Sequence, residues 1–472
     1  MKFASFRNAR VVRSGWLEEG GRRLDCNPYM SGALEARDAL KALSARKEPL
    51  HSLTAGHAGG IYNGPIFARH WVVDPQYGVP FLGSSDMSNA DLSTLPLLKK
   101  GYAQSLRLRH LELRPGTTLI TCSGTIGRMT YVRPDMVGMW SSQHIMKVVP
   151  NESKVPPGYL YAFLSSKYGV PLVVAGTYGA IIQHIEPEHI ANLPVPRFDM
   201  VVESDISRLV DKAATLRSDA VHLLQAAQLR LFSKLGLSMP TRNDQFSKPD
   251  VAWISCQNIV DRCDGYYYCA RNAEAMAAFD RVGPTEELGS IARVFIPGIF
   301  KRLYVSDPAY GSPYVTGGDV FELSPTTEKY LMRRVAAGYE LLLQKGMIVI
   351  QEAGQLGGLI GRSVMVGGYL DGFACSNNMI RIVPNDDVDA GYLFVLLSSE
   401  YGVRLLSREA AGSSIPHTDE GRVRRIPIPW PEREIRAYVS EPAIRARDFR
   451  DGACAAEAEA RTLMETQVER GQ

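Results

Sequence analysis

The stretch PIFARHWVVDPQYGVPFLGSSDM at residues 65–87 decides the fold, because a second version of it, GIFKRLYVSDPAYGSPYVTGGDV, stands at residues 298–320. The two versions share an Ile-Phe-x-Arg start and an Asp-Pro-x-Tyr-Gly core, all at a spacing of 233 residues. Self-similarity at one fixed spacing indicates an internal duplication. The chain therefore contains two copies of one structural unit.

The duplication extends well beyond this stretch. Three further pairs of segments keep nearly the same spacing: GTTLITCSGTIGR at 116–128 with GMIVIQEAGQLGG at 346–358, GYLYAFLSSKYGV at 158–170 with GYLFVLLSSEYGV at 391–403, and LPVP at 193–196 with IPIP at 426–429. Between the last two pairs, Gly179, Ile182 and His184 recur as Gly412, Ile415 and His417. The copies thus correspond over most of their length.

Each copy has the same predicted secondary structure. A short helical stretch, at 33–45 in the first copy and 271–279 in the second, precedes short β-rich runs broken by Gly and Pro. The runs are 117–122, 129–132 and 145–149, with 347–351, 363–366 and 379–383 as their counterparts. The Gly-Tyr-Leu segment has helical periodicity, and the Pro-x-Pro exit is typical of an edge strand. These patterns predict an α+β fold with two tandem β-rich domains related by a pseudo-twofold repeat.

A long amphipathic segment follows each copy. The first has apolar residues at alternating spacings of four and three, which is typical of a coiled-coil helix. Its seam is Val202, Ile206, Leu209, Ala213, Leu216, Ala220, Leu223 and Ala227. The C-terminal segment has a compatible seam of Val439, Ala446, Phe449, Ala453, Ala456, Ala460 and Leu463. We expect this second helix to begin or kink at Pro442, with Ser440 as its cap.

We expect the two helices to pair with each other as an antiparallel coiled coil that separates the β-rich domains. The alternative, in which each helix pairs with another chain, stays open at this point. The first helix would be about 50 Å long at 1.5 Å per residue. The predicted boundaries are 1–199 for the first domain, 200–236 for the first helix, 237–250 for a linker, 251–431 for the second domain and 432–472 for the second helix.

The composition narrows the class of protein. The 472 residues carry a net charge of only +3, from 53 Lys and Arg against 50 Asp and Glu, so any nucleic-acid binding must come from local basic surfaces. The seven cysteines form no Cys-x-x-Cys pair, which disfavours a disulfide framework or a zinc site and favours a reducing compartment. No run of eighteen apolar residues occurs. We therefore expect a cytoplasmic protein with no membrane partner.

The order of these motifs resembles that of the specificity subunits of type I restriction–modification systems. The resemblance rests on four motifs and their order: SGTIGR at 123–128, YLYAFLSS at 159–166, YGAIIQHI at 178–185 and LPVP at 193–196. A long helix follows the last of them. The second copy supplies AGQLGG at 353–358, YLFVLLSS at 392–399, GSSIPH at 412–417 and IPIP at 426–429. It departs from the usual Gly-Thr-Ile-Gly form at Gln355 and Leu356, which puts a shared base preference in doubt but not the fold.

The resemblance implies a function without catalysis by this chain. Each β-rich domain would be a target-recognition domain that reads one half of a split, asymmetric site in double-stranded DNA. The helices would fix the gap between the halves and dock two methyltransferase subunits, through which restriction subunits would join. The cofactors S-adenosylmethionine, ATP and Mg²⁺ would bind the partner subunits, and none would bind this chain.

Candidate DNA-binding residues lie on loops, since readers of base edges need paired donors and acceptors held by a rigid scaffold. In the glycine-rich turns they are Ser123, Thr125, Arg128 and Gln355, for which a plain hairpin is the alternative. Before the third β-rich run they are Gln143, His144, Asn377 and Asn378, for which polar turn residues are the alternative. On the later loops they are Tyr178, Gln183, His184, Ser413, Ser414 and His417. For the two histidines, which recur at matching positions, a structural hydrogen bond is the favoured alternative. The candidates for phosphate contacts are Arg69, Lys301 and Arg302.

Two rival functions belong to other classes. The chain could be a DNA adenine methyltransferase in its own right, since NPYM at 27–30 is similar to the Asn-Pro-Pro-Tyr motif of such enzymes. It lacks the second proline, and neither a Phe-x-Gly-x-Gly cofactor loop nor a phosphate-binding Gly-x-x-x-x-Gly-Lys loop occurs. The second rival is a stand-alone DNA-binding or scaffold protein.

The repeated aspartates could suggest a metal site. The sequence around Asp74 and Asp307, and around Asp86 and Asp319, is typical of turns, which favours a turn over a metal-ligand role.

Overall fold

The computed structural model describes residues 12–19, 27–175, 184–238, 251, 253–259 and 262–471. It divides into two compact units. Unit 1 comprises residues 1–88, 92–215 and 453–472, and unit 2 comprises residues 89–91 and 216–452. Each unit therefore contains one copy of the repeat together with segments of both long helices.

Unit 1 is built on two small sheets that share no strand. In the first, the strand Ile145–Val148 pairs antiparallel with Ile61–Tyr62 on one side and Thr118–Thr121 on the other, and Met129–Tyr131 completes the sheet. The strand Thr118–Thr121 is buried throughout, as expected for apolar and β-branched residues with a helix on one face. The second sheet has the order Trp71–Val72, Leu97–Lys99, Gly78–Leu82 and Trp140–Ser141, with the last strand parallel to its neighbour.

Unit 2 repeats this arrangement strand for strand. Its first sheet has the order Ala292–Phe295, Met379–Pro384, Ile348–Gln351 and Ser363–Met365. Its second sheet has the order Tyr304–Val305, Tyr330–Met332, Gly311–Val315 and Ala374–Cys375, again with a parallel last strand. Two copies of one sequence pattern thus give two copies of one topology.

The proline-ended exits form short edge strands in both units. Pro194–Pro196 pairs antiparallel with Lys47–Pro49, and Pro427–Pro429 pairs antiparallel with Thr285–Glu287. The remaining strands are Ala410–Ala411 and His417–Thr418, which pair with each other. The α-helices of unit 1 other than the long ones are Ser14–Glu19, Asn27–Met30, Ala33–Ala42, Lys100–Ala103, Pro157–Leu164, Gly169–Ala175 and Pro187–Ala191. Those of unit 2 are Ala270–Val282, Leu288–Ile291, Arg333–Gly338, Asp387–Ser398, Glu400–Arg408 and Glu420–Arg424.

The two long helices are Met200–Leu235, the first long helix, and Arg433–Arg470, the second long helix. Every residue of the two predicted heptad seams is buried or half-buried. In unit 1, Ile206 and Val210 of the first long helix belong to the same apolar cluster as Met464 and Val468 of the second. The α+β class and both long helices are therefore confirmed.

The second long helix begins within a residue of the predicted boundary at 432, but it does not begin at Pro442. The helix begins at Arg433 and includes Pro442, although proline has no N–H to give to the carbonyl of Tyr438 one turn earlier. Arg230 of the first long helix supplies the missing donor, since its Nη1 lies 2.8 Å from the Tyr438 oxygen and its guanidinium 4.4 Å from the Tyr438 ring centroid. A tertiary contact that the sequence pattern does not reveal thus lets the helix continue through the proline.

Ser440 is likewise not a cap, because it lies inside the helix and has a packing role that is repeated in unit 1. A Cβ on Gly391 would lie 2.0 Å from the Ser440 Oγ, and a Cβ on Gly158 would lie 2.7 Å from the backbone oxygen of Ser207. Gly158 and Gly391 correspond in the repeat, and so do Ser207 and Ser440. In each unit, therefore, a glycine of a buried helix packs directly against a serine of a long helix. We call these contacts the glycine–serine joints.

Candidate nucleic-acid interface

The glycine turn of unit 1, residues 122–128, joins two strands of the first sheet. Thr121 N donates to Arg128 O over 2.9 Å, and Gly127 N donates to Thr121 O over 3.1 Å, so the hairpin is closed at its base. Gly127 has a φ of 83°, and a Cβ there would lie 2.6 Å from the Val174 Cγ2, so both backbone and packing require glycine. The tip leaves Thr125 and Arg128 exposed and Ser123 half-buried.

The amide loop of unit 1, Ser142-Gln143-His144, lies directly beside this turn. Ser142 N donates to Leu82 O over 3.0 Å, and His144 N donates to the Ser142 Oγ over 3.3 Å. Cys122 N donates to His144 O over 3.0 Å, which ties the loop to the glycine turn. Gln143 and His144 are half-buried, and their Nε2 atoms are 3.2 Å apart.

The histidine segment, residues 184–185, completes the arrangement. His184 forms a backbone bridge with Ser123, and Ile185 N donates to Cys122 O over 3.1 Å. Burial lowers the pKa of His144, and the positive charge of Arg69 and the His184 ring lower it further. Four predicted residues, Arg69, Ser123, His144 and His184, are thus neighbours in unit 1. Tyr178 and Gln183 lie outside the described residues.

Unit 2 has the same junction with different side chains. Glu352 N donates to Asn378 O over 3.2 Å, which ties the second amide loop, Ser376-Asn377-Asn378, to the second glycine turn, residues 352–361. Ala353 forms a backbone bridge with His417, and Gly354 N donates to Pro416 O over 3.1 Å, which brings in the second histidine segment, residues 412–418. The His417 Nδ1 is 2.9 Å from the Glu352 Oε1.

Most exposed side chains of this second junction differ from their counterparts in the first, whereas His417 is shared with His184. Gln355, Ser413, Ser414, His417 and Asn378 are exposed, and Asn377 is half-buried. The remaining predicted residues, Lys301 and Arg302, lie beside the second sheet and are exposed. The Arg302 Nε donates to the Tyr314 Oη over 3.3 Å, whereas its counterpart Arg69 lies over the Phe81 ring at 5.5 Å. The DNA-binding role of each of these residues stays a prediction.

Two buried cations beneath the amide loops were missed by sequence reasoning. Lys147 is fully buried, and its Nζ donates to Ser142 O over 3.2 Å and to Ile145 O over 2.8 Å. Arg381 is buried in the same way and donates to the oxygens of Cys375, Ser376 and Met379. The available signal was a single cation in an apolar strand, IMKVV or MIRIV, at matching positions of the two copies.

The predicted turns at the repeated aspartates are confirmed. Asp74 accepts from Gln76 N over 2.8 Å, and Asp307 accepts from Ala309 N over 2.9 Å. Asp319 accepts from both the nitrogen and the hydroxyl of Thr316. Within the described ranges, no group of three or more His, Cys, Asp or Glu side chains could hold a metal ion. In the same part of the chain, no helix has the length and apolar character needed to cross a bilayer.

Solved structures from type I restriction–modification systems match this chain along most of its length. The S subunit of a type I restriction–modification system from M. genitalium is 12% identical, covers 91% of this chain and 96% of its own, and has a TM-score of 0.38. The chain resembles type I specificity subunits. The HsdS subunit from Thermoanaerobacter tengcongensis is 13% identical, covers 90% of this chain and 96% of its own, and has a TM-score of 0.27.

A third structure concerns complex assembly and conformational transition of the type I R-M system. It is 14% identical, covers 90% of this chain and 97% of its own, and has a TM-score of 0.27. No protein-family model matches the sequence, and neither does any curated protein.

Proposed function

We propose that this chain is the DNA-recognition subunit of a type I restriction–modification complex and reads a bipartite, asymmetric site. The observation that carries the proposal is the junction of glycine turn, amide loop and histidine segment, which occurs once in each unit on the same strand order. A duplicated scaffold with different exposed tips suits two readers of different sequences, because the scaffold sets position and the tips set preference.

The chemistry of the tips fits the major groove of DNA. Amide side chains such as Asn377 and Asn378 can pair bidentately with adenine, and hydroxyls such as Thr125 can accept from or donate to several bases. An exposed arginine such as Arg128 can bind phosphate or guanine. We propose that the junction of unit 1 reads one half of the site and that of unit 2 the other half.

We also propose that the long helices pair antiparallel within the chain and set the gap between the two half-sites. In unit 1, Ile206 shares a cluster with Met464 and Val468, whereas in unit 2, Leu231 shares a cluster with Val439. Residues further along the first long helix therefore pack with residues nearer the start of the second long helix. This order supports antiparallel pairing within one polypeptide over pairing with other chains.

The partners follow from this assignment. Two methyltransferase subunits would dock on the helices, and restriction subunits would join through them. S-adenosylmethionine, ATP and Mg²⁺ would be bound by those partners. The rival in which this chain is itself the methyltransferase has little support, because Tyr29 of the NPYM motif is buried against Trp16 and Leu34 and is not presented to a base.

Domain exchange tests the two-reader proposal. Replacing residues 50–198 with the matching segment of another specificity subunit should change one half of the methylated target and leave the other half intact. The target would be obtained by methylome sequencing of cells carrying the chain with its methyltransferase. A simultaneous change in both halves would overturn the proposal.

Helix extension tests the ruler. Adding one heptad to both long helices preserves their seam and should widen the unread gap by about 10 Å, or about three base pairs. Adding the heptad to the first long helix alone is the control. It keeps the seam in phase but leaves the added turns without a partner on the second long helix, and so should weaken the fold. An unchanged gap in the double extension would contradict the ruler role.

Copurification separates the remaining candidates. A stand-alone binding or scaffold protein should purify without a methyltransferase and still enrich a DNA sequence from a random pool. The chain alone should transfer no methyl group from S-adenosylmethionine to DNA. Turnover by the pure chain would establish the enzyme reading instead.

A further inference from the structure

The two buried cations bind equivalent carbonyls in the two units. Ser142 and Ser376 correspond in the repeat, as do Ile145 and Met379, and each cation donates to both members of its own pair. The rest of the loop is also held alike, because His144 N and Asn378 N each donate to the preceding serine Oγ over 3.3 Å. Lysine and arginine differ in shape, so the shared feature is a positive charge that closes the base of the amide loop.

Such a cation is costly to bury. Neither Lys147 nor Arg381 forms an ion pair with a carboxylate in the part of the chain that the structure describes, and both are removed from solvent. A buried charge without a counter-charge weakens a fold unless its bonds serve another purpose. Its presence at the same place in two otherwise divergent copies indicates that the purpose is common to both units.

The common purpose lies on the loop. The cation in each unit binds backbone oxygens at both ends of the amide loop, and the intervening side chains are Gln143 and His144 or Asn377 and Asn378. The same loops are tied to the glycine turns by Cys122 N to His144 O and by Glu352 N to Asn378 O. A loop fixed at both ends holds its side chains in one orientation, which a base reader needs.

We propose that Lys147 and Arg381 are positioning residues that hold the two amide loops in the shape that reads DNA. This inference rests on the proposed function. Each cation acts through the loop and touches no base. Losing Lys147 should therefore relax the preference at one half of the target only, and losing Arg381 should relax the other half.

The two units differ in one respect, because lysine can lose its charge near neutral pH and arginine cannot. Burial lowers the pKa of Lys147 to about 7, an effect that the nearby Cys122 partly opposes. The other groups facing it are Tyr62, whose ring centroid is 6.0 Å from the Nζ, and His110, with His57 stacked on it. Burial lowers the pKa of His110 to about 4 and raises that of Cys122 to about 11, so neither changes charge between pH 6.5 and 8.5.

The experiment compares four variants of the full chain, purified with its methyltransferase, on the duplex that the wild-type complex enriches from a random pool. Lys147→Met should weaken binding roughly tenfold, comparable with losing one base contact, and should relax one half-site. Arg381→Met should do the same at the other half-site. Lys147→Arg should restore binding and remove the loss of affinity that wild type shows as pH rises from 6.5 to 8.5. Arg381→Lys should add to that loss.

Lys154→Met is the matched control, since Lys154 is an exposed lysine of unit 1 that donates to Ser52 O, and it should leave the half-site preference unchanged. Amide hydrogen exchange at His144 and Ile145 without DNA separates the possible failures. If wild type enriches no duplex, the proposed function fails, yet faster exchange in Lys147→Met would still support positioning. If wild type binds and Lys147→Met keeps both its affinity and its exchange rates, the positioning role is overturned.

Discussion

The glycine–serine joints and the glycine turns of the two units differ in how far they have diverged. The joints keep the same pair of residues, with Gly158 against Ser207 in unit 1 and Gly391 against Ser440 in unit 2. The turns keep their glycines but replace Ser-Gly-Thr-Ile-Gly-Arg with Ala-Gly-Gln-Leu-Gly-Gly. Contacts that seat a unit on its helices are thus kept, whereas exposed tips vary. On the proposed function, attachment to the long helices and recognition of DNA therefore depend on different residues.

The joints should be the least tolerant positions. Gly158→Ala and Gly391→Ala each place a Cβ inside contact distance of a long helix, and each should lower the free energy of unfolding by about 1–3 kcal/mol. Gly101→Ala is the control, because a Cβ there meets nothing within 4 Å and Gly101 lies in a short helix. Urea denaturation measures both. Joint variants as stable as the control would remove the distinction between joints and tips.

The tips should affect DNA preference and leave stability nearly unchanged. Thr125→Ala should relax one base pair in one half of the target, and Gln355→Ala should relax one base pair in the other half, each by about 1–3 kcal/mol of discrimination. Selection from a random duplex pool gives the preference, and the same denaturation series gives stability. An effect of either variant on both halves would mean that the units do not read separately.

Arg230 and Pro442 offer a smaller effect that sharpens the comparison, because unit 1 has no counterpart of this proline in the first long helix. Arg230→Met should destabilise the wild-type chain by about 1 kcal/mol, since the Tyr438 carbonyl loses its donor. In a Pro442→Ala background the helix supplies its own N–H, so the same change should cost less. A double-mutant cycle measures the difference. Equal costs in both backgrounds would show that Arg230 does not replace the missing bond.

The smallest expected effect is a pH dependence confined to unit 1. Burial lowers the pKa of His110 from 6.5 to about 4, with the neighbouring His57 and Lys147 adding to the shift. As the pH falls, His110 therefore takes up a proton at a higher pH in the unfolded chain than in the folded chain. The stability that is present above pH 6.5 is lost progressively toward pH 4. His110→Gln should flatten this part of the stability profile in urea denaturation at low salt. A profile that keeps its slope would assign the loss to other groups.

Much of the fold could be predicted from the sequence because its signals are local or periodic. The heptad seam predicted the first long helix to within a residue at each end, and β-branched runs such as residues 117–122 predicted the buried strands. Local rules place a start or kink of the second long helix at Pro442, because the compensating donor, Arg230, lies far away in sequence. Local rules for caps and breaks cannot include a partner from another helix.

The candidate site was predicted residue by residue, but its assembly was not. Ser123, His144 and His184 are distant in sequence, and only the strand pairing and backbone bonds bring them together. Lys147 escaped notice because an isolated lysine within a strand usually suggests an exposed position. Comparing it with Arg381 in the other copy would have indicated its burial, since both interrupt an apolar run at the same point.

The membership of unit 1 has a consequence for biosynthesis. Ala460, Met464 and Val468 complete its core, although they lie about 250 residues after Ile206 and Val210 in the chain. At about 5–20 residues per second, the stretch of roughly 250 residues between them takes roughly 10–50 s to translate. Ile206 and Val210 must therefore wait for these partners until the second long helix has been made. A chaperone that binds apolar helices would find its substrate in that interval.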